Sequence, residues 1–594
     1  MLAATSARQV VILYGSETGN CEDLALCLAT KLRYHKLDVV KSSLDDFDLR
    51  KLLDIKYLVV ICSTTGQGEI PRNGRNFWKF MRKRRLPGDL FSNLVFTSFG
   101  LGDSSYPKYN SAIRKVHARF LQLGAKELCP RGEGDEQSLE GTDAYYSAWE
   151  SQFLTSLNSA IHQIFPVQSI PENDLLPPIN SIIFHTNQAI TRSEDFKKEA
   201  LNRLLSDKTQ NPPKTFELVE NKILTTRDHF QEVRMVSFTD PTASLDYSPG
   251  DILALYPVND PKDVDLLIEL QKWSNIADYP ISFQKPIDHH GSGIVRNLTL
   301  RTLLLHHLDI MSIPRRSFFS LAWHFADDTM EKDKLREFSR LEESEQLYDY
   351  ANRPRRSILE VIQEFSSLKI PVDYLTELIP TLKPRLFSIS SRPDTQKVDI
   401  TVAIVEYRTV IRRLRKGVCT KWIKQLVPGD LIIGSIIENH LNFEIESDTP
   451  IIAIATGSGI APVKSMIEYV LSRSSQKEIY LFAGHRFMDR DYLYGDLWES
   501  LCQKHPQFHI FPSFSRQGSG YVQESIYKQK VLVNRLVVSN NGLIFLCGSS
   551  GRMPTQVRLT LETIFAQENS WTEQQSKEYL EKLENNRKYI QETW

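Results

Sequence analysis

No stretch of the 594-residue sequence strings together 18 or more apolar residues, so none is expected to cross the roughly 30 Å hydrocarbon core of a bilayer. An excess of basic charge is missing too. Lys and Arg number 72 against 73 Asp and Glu, a net charge of −1, which excludes the whole-chain basic footprint of a dedicated nucleic-acid binder. Cysteine is sparse: Cys21, Cys27, Cys62, Cys129, Cys419, Cys502 and Cys547 are odd in number and form no C-x-x-C pair or His/Cys cluster at metal spacing. That pattern predicts a reducing compartment and no zinc or iron–sulfur site. About eight residues precede the apolar run Gln9–Tyr14, too few for a signal peptide, and the cytoplasm is the expected location.

What the chain does have is length enough for about three to five domains. Over residues 9–165 short apolar runs (VVILY, LDVV, YLVVIC, LVFTSFG, AKELC) alternate with helical patterns at Glu22 to Leu32, near Phe77–Arg84, near Ile113–Leu123 and near Tyr145–Phe165. Such alternation predicts an α/β domain at 1–165, a flavodoxin-like, doubly wound parallel sheet of five strands with its ligand beyond their C-terminal ends. The Arg82–Arg85 run reads as a solvated helix end. Residues 166–213 carry Pro166, Pro171, Pro177, Pro178, Pro212 and Pro213 around a mixed-charge helical stretch at Ser193–Leu205, and read as a linker. Residues 214–447 are β-patterned (FELVENKILT, EVRMVSFT, DILALYP), helical through 260–375, then β-patterned again (RLFSIS, VDITVAIVEY, DLIIGSII, LNFEI), which predicts a barrel interrupted by a helical insertion. From 448 to 594 the alternation returns, predicting a second doubly wound unit.

The candidate sites are loops. A first apolar run leads through Gly15, Ser16, Glu17, Thr18, Gly19 and Asn20 into a helix at Cys21, so helix N-terminal amides and two hydroxyls surround one point that suits a phosphate. Taken alone, an ordinary strand-to-helix turn accounts for it equally. Two further polar loops follow later strands: Ser63, Thr64, Thr65 and Gly66, and then Leu101, Gly102, Asp103, Ser104, Ser105, Tyr106, Pro107, Lys108, Tyr109 and Asn110. In the barrel region Arg385, Leu386, Phe387 and Ser388 offer a guanidinium for a pyrophosphate and a ring on the same side of a strand. Gly417, Val418, Cys419 and Thr420 add a glycine for close approach and a hydroxyl donor. The last unit opens on Gly457, Ser458, Gly459 and a proline-started helix, a pyrophosphate site.

Together these loops resemble the diflavin reductases, the family of cytochrome P450 reductase, and the resemblance covers essentially the whole chain. It implies that the first loop holds the FMN phosphate and the other two flank the ring, with Tyr106 stacked on it and Asp135 of GEGDE nearby. Thr65 stands where P450 reductases carry an aromatic. Arg385–Ser388 matches the R-x-Y-S motif for FAD with Phe387 for Tyr, Gly417–Thr420 the second FAD-pyrophosphate segment, and Arg355 a further FAD-contacting arginine. The third unit is then an NADP-binding domain of ferredoxin-reductase type, with Ser458 for the usual Thr and with Ser515 and Arg516 at the 2′-phosphate of NADPH. Ser519, Tyr521 and Gln523 stand in for a K-V-Y-V-Q segment without its lysine. Ser388, Cys547 and Glu592 would line the hydride path, and Trp594 would cover the FAD face.

The implied chemistry runs from NADPH through FAD and FMN to a one-electron acceptor. The wording STTGQGEIPRN, the short layout and the ETW terminus resemble the NADPH-dependent diflavin oxidoreductases of cytosolic iron–sulfur protein assembly. That branch implies an anamorsin-type iron–sulfur protein as acceptor, docking at an FMN end that holds 21 Lys and Arg against 18 Asp and Glu over residues 1–165. A soluble reductase for a P450 or other haem protein, and a flavin-retaining scaffold without turnover, are the other readings.

Overall fold

The computed structural model describes residues 8–66, 68–106, 108–138, 141–162, 169–186, 213–240, 245–284, 298–439, 441, 443, 448–473 and 476–594. Strands covered by helices on both faces must be apolar on both faces. In β1 (Gln9–Gly15) Val10 to Leu13 are at most 1% exposed, although they point alternately to opposite sides. With β2 (Asp38–Ser43), β3 (Tyr57–Ser63), β4 (Val95–Gly102), β5 (Lys126–Glu127) and β6 (Gly132–Asp135) it forms a parallel sheet of order β2-β1-β3-β4-β5, β6 also pairing with β4. Two apolar clusters lie on its two faces. The expected fifth strand at AKELC forms over Lys126–Glu127 only, and past Pro130 the chain adds a sixth, Gly132–Asp135, beside β4. The Arg75–Met81 helix stops at Met81, and Arg82–Arg85 follow it exposed.

Beyond a short β7 (Ile182–Phe184), the strands β8 (Lys214–Ile223), β9 (Val233–Thr239), β10 (Ile252–Leu255), β12 (Arg385–Ser388), β13 (Val398–Ala403) and β16 (Leu431–Ile437) make an antiparallel sheet of order β12-β10-β16-β8-β9-β13. Its ends meet where Ile389 bridges Ile400 and Ser390 N–H donates to the Asp399 carbonyl at 2.7 Å, closing a barrel around Phe216, Phe238 and Leu253. VDITVAIVEY is two strands: β13 ends at Ala403, and β14 (Glu406–Arg408) pairs with β15 (Leu414–Lys416) as a separate hairpin. The insertion between β10 and β12 is helical, with β11 (Ile281–Phe283) on β7, and has its own core around Phe318, Phe319 and Trp323. The Ser193–Leu205 stretch and most of LNFEI lie outside the described residues.

The last unit is a parallel sheet of β17 (Ile451–Thr456), β18 (Ile479–His485), β19 (Phe508–Phe514), β20 (Leu543–Gly548) and β21 (Tyr589–Thr593), in the order β19-β18-β17-β20-β21. Its fifth strand is the chain's last segment. Ser465 Oγ donates to the Ser391 carbonyl at 2.6 Å and Lys464 Nζ to that of Ser390 at 3.1 Å, which seats this unit on the barrel.

Candidate functional site

The three loops of the first sheet meet at the C-terminal ends of β1, β3 and β4, beside the reversal of strand order. Gly19 sits at φ +94°, a conformation that favours glycine, and directly precedes the helix Asn20–Tyr34. Ser16 shapes the loop: its Oγ accepts the Gly19 N–H and its own N–H goes to Asn73 Oδ1, both at 2.9 Å. The amides of the helix's first turn, at Asn20, Cys21 and Glu22, have no carbonyl partner within the helix and face the loop. That donor set fits a phosphomonoester. Glu17 accepts from the Arg72 N–H at 3.0 Å, so the loop is braced by the segment after Thr65.

In the second loop Thr64 N–H donates to the Leu101 carbonyl, while Thr65 and Glu69 exchange backbone bonds of 3.0 and 2.8 Å around Gly66. Ser63 sits on β3 at the mouth of this loop. In the third, Asp135 Oδ1 accepts the amides of Ser104 and Gln137 at 2.9 and 3.0 Å, and the bond from Ser104 holds its carboxyl below the usual range. Asp135 therefore anchors Gly102–Ser105. Tyr106 is 54% exposed, with Ser105 and Lys108 in solvent beside it, and Tyr109 carries Arg114 over its ring; Pro107 lies outside the described residues. Buried Asn110, at φ +52°, caps the next helix and donates to the Gly134 carbonyl.

A cleft of about 980 Å³ runs between the barrel and the insertion, lined among others by Arg355, Arg385, Gly417, Val418, Lys421 and Trp422. Gly417 precedes the helix Val418–Gln425, and a side chain there would meet Thr420 and Val405 at about 3 Å. Several cations, Arg355 and Arg385 among them, and a helix N-terminus in one large cleft fit a dinucleotide pyrophosphate. Arg355 is held out by its neighbours. Arg415 donates to the Pro354 carbonyl at 3.0 Å and to Glu360 at 2.7 Å, and the backbone at Arg355 takes φ +53°. Thr420 and Cys419 face elsewhere: the Thr420 hydroxyl donates to the Gly417 carbonyl and accepts the Val405 N–H. Cys419 packs in the barrel core, where burial pushes its thiol up to about 12. On β12 Leu386 is exposed and Phe387 half-buried against the barrel core.

In the last unit Gly459 lies against the backbone of β20: a Cβ on it would stand 2.5 Å from the Cys547 carbonyl oxygen. Ser458 is half-exposed in that loop, and Arg516 is exposed with its backbone pinned to the Arg486 carbonyl. Ser515 donates its N–H to the His485 carbonyl. Ser519 Oγ both accepts from and donates to the Phe514 backbone, so it closes the loop around Arg516, with Tyr521 exposed and Gln523 half-exposed beyond it. Cys547 and Glu592 are register partners on β20 and β21. Burial drives the Cys547 thiol well above its ordinary value, Glu592 adding to it.

A path of hydrogen bonds joins them to β12. Ile389, next to Ser388, donates to the Asp251 carbonyl at 3.0 Å, Asp251 Oδ1 accepts the Asn439 N–H at 3.0 Å, and Asn439 Nδ2 donates to Glu592 Oε1 at 3.0 Å. Burial raises the Glu592 carboxyl; Asn439 and the charges of Arg72 and Arg75 in the first module oppose this. Trp594 is 51% exposed, while its backbone bonds to Gly548 and Ser550 fix the strand end.

Sequence reasoning missed Asn73, Asn439 and Arg415. Asn73 lies within the quoted STTGQGEIPRN wording, but the other two reach their loops from distant segments and leave no local pattern.

Residues 12–149 match the family described as Flavodoxin, residues 192–422 the FAD binding domain and residues 453–558 the Oxidoreductase NAD-binding domain. The chain is 48% identical over 600 residues to NADPH-dependent diflavin oxidoreductase 1 of Debaryomyces hansenii, covering 98% of each. It is 43% identical to the protein of that name from Candida albicans, over 99% of this chain and all of the relative. Against the Saccharomyces cerevisiae protein of the same name the identity is 37%, with 99% and 100% covered.

Proposed function

The chain belongs to the NADPH-dependent diflavin oxidoreductases, with FMN, FAD and NADPH as its cofactors, and from that premise we propose that its acceptor is an anamorsin-type iron–sulfur protein of cytosolic iron–sulfur assembly. When bound, the nicotinamide gives a hydride, and the two flavins turn that electron pair into single electrons. The chain's residues position these groups. Ser16 and Gly19 shape the phosphate loop, Tyr106 offers a ring at its mouth, and Arg355, Arg385 and the helix at Val418 hold a pyrophosphate. Arg516 would read the 2′-phosphate, Glu592 stands beside Cys547 and reaches the segment after Ser388 through Asn439 and Asp251, and Trp594 would shield the ring that the nicotinamide must reach. The backbone of Trp594 bonds to Gly548 and Ser550, which leaves side-chain rotation as the smallest movement that would uncover the ring.

The observation that carries the reading is the charge of the first module, the flavodoxin-type unit from which an external acceptor would take electrons. That module is the basic one. Lys79, Arg82, Lys83, Arg84 and Arg85 are all exposed on it and suit an acidic acceptor segment. The test is anaerobic reduction of candidate acceptors by NADPH and the full chain, paired with pulldown. Fast reduction and capture of an iron–sulfur protein that weaken with salt are expected. Reduction and capture of a haem protein in its place would overturn the acceptor, and flavin content with no NADPH oxidation would overturn turnover.

A further inference from the structure

One residue at the phosphate loop comes from another part of the molecule. Arg315, which starts the insertion helix Arg316–Ala322, donates through Nη2 to the Thr18 carbonyl at 2.6 Å and through Nη1 to Asn20 Oδ1 at 3.0 Å. It is so close that a Cβ on Gly19 would stand 2.8 Å from Nη2. Around it the two modules pair by charge. Lys383 meets Glu22 at 2.7 Å, Arg316 meets Asp143 at 2.7 Å, Ser317 donates to Asp23, and Arg33 meets Glu377 at 3.2 Å. Three of these four contacts place a cation or donor of the insertion against an anion of the first module.

We propose that Arg315 completes the flavin-phosphate site, so that binding FMN and docking the first module onto the insertion are one coupled equilibrium. The N-terminal end of the helix Asn20–Tyr34 carries partial positive charge and Arg315 adds a cation beside it; Asp23 of the first turn answers part of that charge while bonded to Ser317, and the loop can take a further anion. A phosphate in the loop is that anion. Arginine has five N–H donors, of which the two bonds above use two, leaving others for phosphate oxygens. By linkage, whatever factor docking adds to FMN affinity, FMN adds to docking. Opening the first module to meet an acceptor then loosens its hold on the phosphate. The inference rests on assigning Gly15–Asn20 to the FMN phosphate.

The experiment strips flavin from the full-length chain and measures rebinding of FMN and of riboflavin, which lacks the phosphate, by fluorescence quenching. Arg315→Gln is expected to raise the FMN Kd about tenfold, the weight of one charge-assisted hydrogen bond at a half-exposed site, and to leave riboflavin within about twofold. Lys383→Gln, which touches only the docking contact, shifts FMN the same way by less. Small-angle scattering adds a second readout: FMN compacts the stripped wild-type chain and not Arg315→Gln. Equal loss for both ligands, or no loss of FMN, overturns the role of Arg315. If Thr18→Val weakens FMN over riboflavin while Arg315→Gln does not, the loop assignment stands and the coupling falls. If the wild type itself fails to prefer FMN, the loop assignment falls.

Discussion

Asn439→Ala removes one hydrogen bond and leaves the rest of its neighbourhood in place. The backbone N–H still donates to Asp251 Oδ1, whereas the side-chain bond to Glu592 Oε1, 3.0 Å long, is lost. Burial raises the Glu592 carboxyl, and Asn439 is foremost among the groups that oppose it, ahead of Arg72 and Arg75. Without the amide, Glu592 titrates at higher pH. A hydrogen bond to a charged group contributes about 1.5–3 kcal/mol, and a half-buried site falls at the low end of that range. In the role proposed for it, Glu592 would serve as a carboxylate on the hydride path, where its charged form would favour a positively charged nicotinamide. The deprotonated form is therefore the active one. The acidic limb of the rate of flavin reduction by NADPH, followed by anaerobic stopped-flow absorbance, is expected to move to higher pH, while the plateau above it falls only a few-fold. A lower plateau with the limb unmoved would reduce Asn439 to a packing residue, and a limb that moves down would reverse the sign on which the argument depends.

Other outcomes follow from the same geometry. Trp594→Ala should improve the use of NADH relative to NADPH, because a half-exposed ring on a fixed strand end is a removable shield; an unchanged ratio in steady-state assays refutes it. Arg516→Ala should raise the KM for NADPH by a factor equivalent to about 1.5–3 kcal/mol and spare NADH, with equal losses placing the 2′-phosphate elsewhere. Gly459→Ala drives a methyl group into the Cys547 backbone, where nothing flexible can yield, and should cost about 1–3 kcal/mol in denaturant melts as well as nucleotide affinity. For Glu360 burial favours protonation, but the bonds from Arg415 and Ser357 outweigh it and hold the carboxyl below the usual range. Its folded value lies under its unfolded one, so the stability it contributes is present above the unfolded carboxylate range and lost as pH falls through the folded value. Glu360→Gln should accordingly flatten the acid side of a Tm-versus-pH curve, and parallel curves would count against it.

Which parts of this architecture are legible in a sequence follows from the range over which each signal acts. Apolar periodicity reports burial within a few residues, so β1, β3, β4, β17, β18 and β20, all two-face-buried strands, stand out as VVILY-type runs. Glycine loops between a strand and a helix are equally local, and for that reason Gly15–Asn20 and Gly457–Gly459 are readable as phosphate loops. The short β5 and β6 fail the same test, because two to four residues set no period. β21 fails it because QETW reads as a tail until β20 supplies its partner. Hydroxyls are ambiguous in another way: Thr420 and Ser519 carry the right chemistry for a phosphate, yet both bond to the backbone a few residues off, a choice that depends on how each loop closes. Arg315 and Asn439 are hardest of all. Their partners lie 295 and 153 positions away, and an arginine after a proline or an asparagine after a strand is unremarkable where it stands. Their meaning comes from the docking of modules, and because docking is also what must yield when an acceptor arrives, the residues least visible in the sequence are the ones through which the chain can couple cofactor retention to electron delivery.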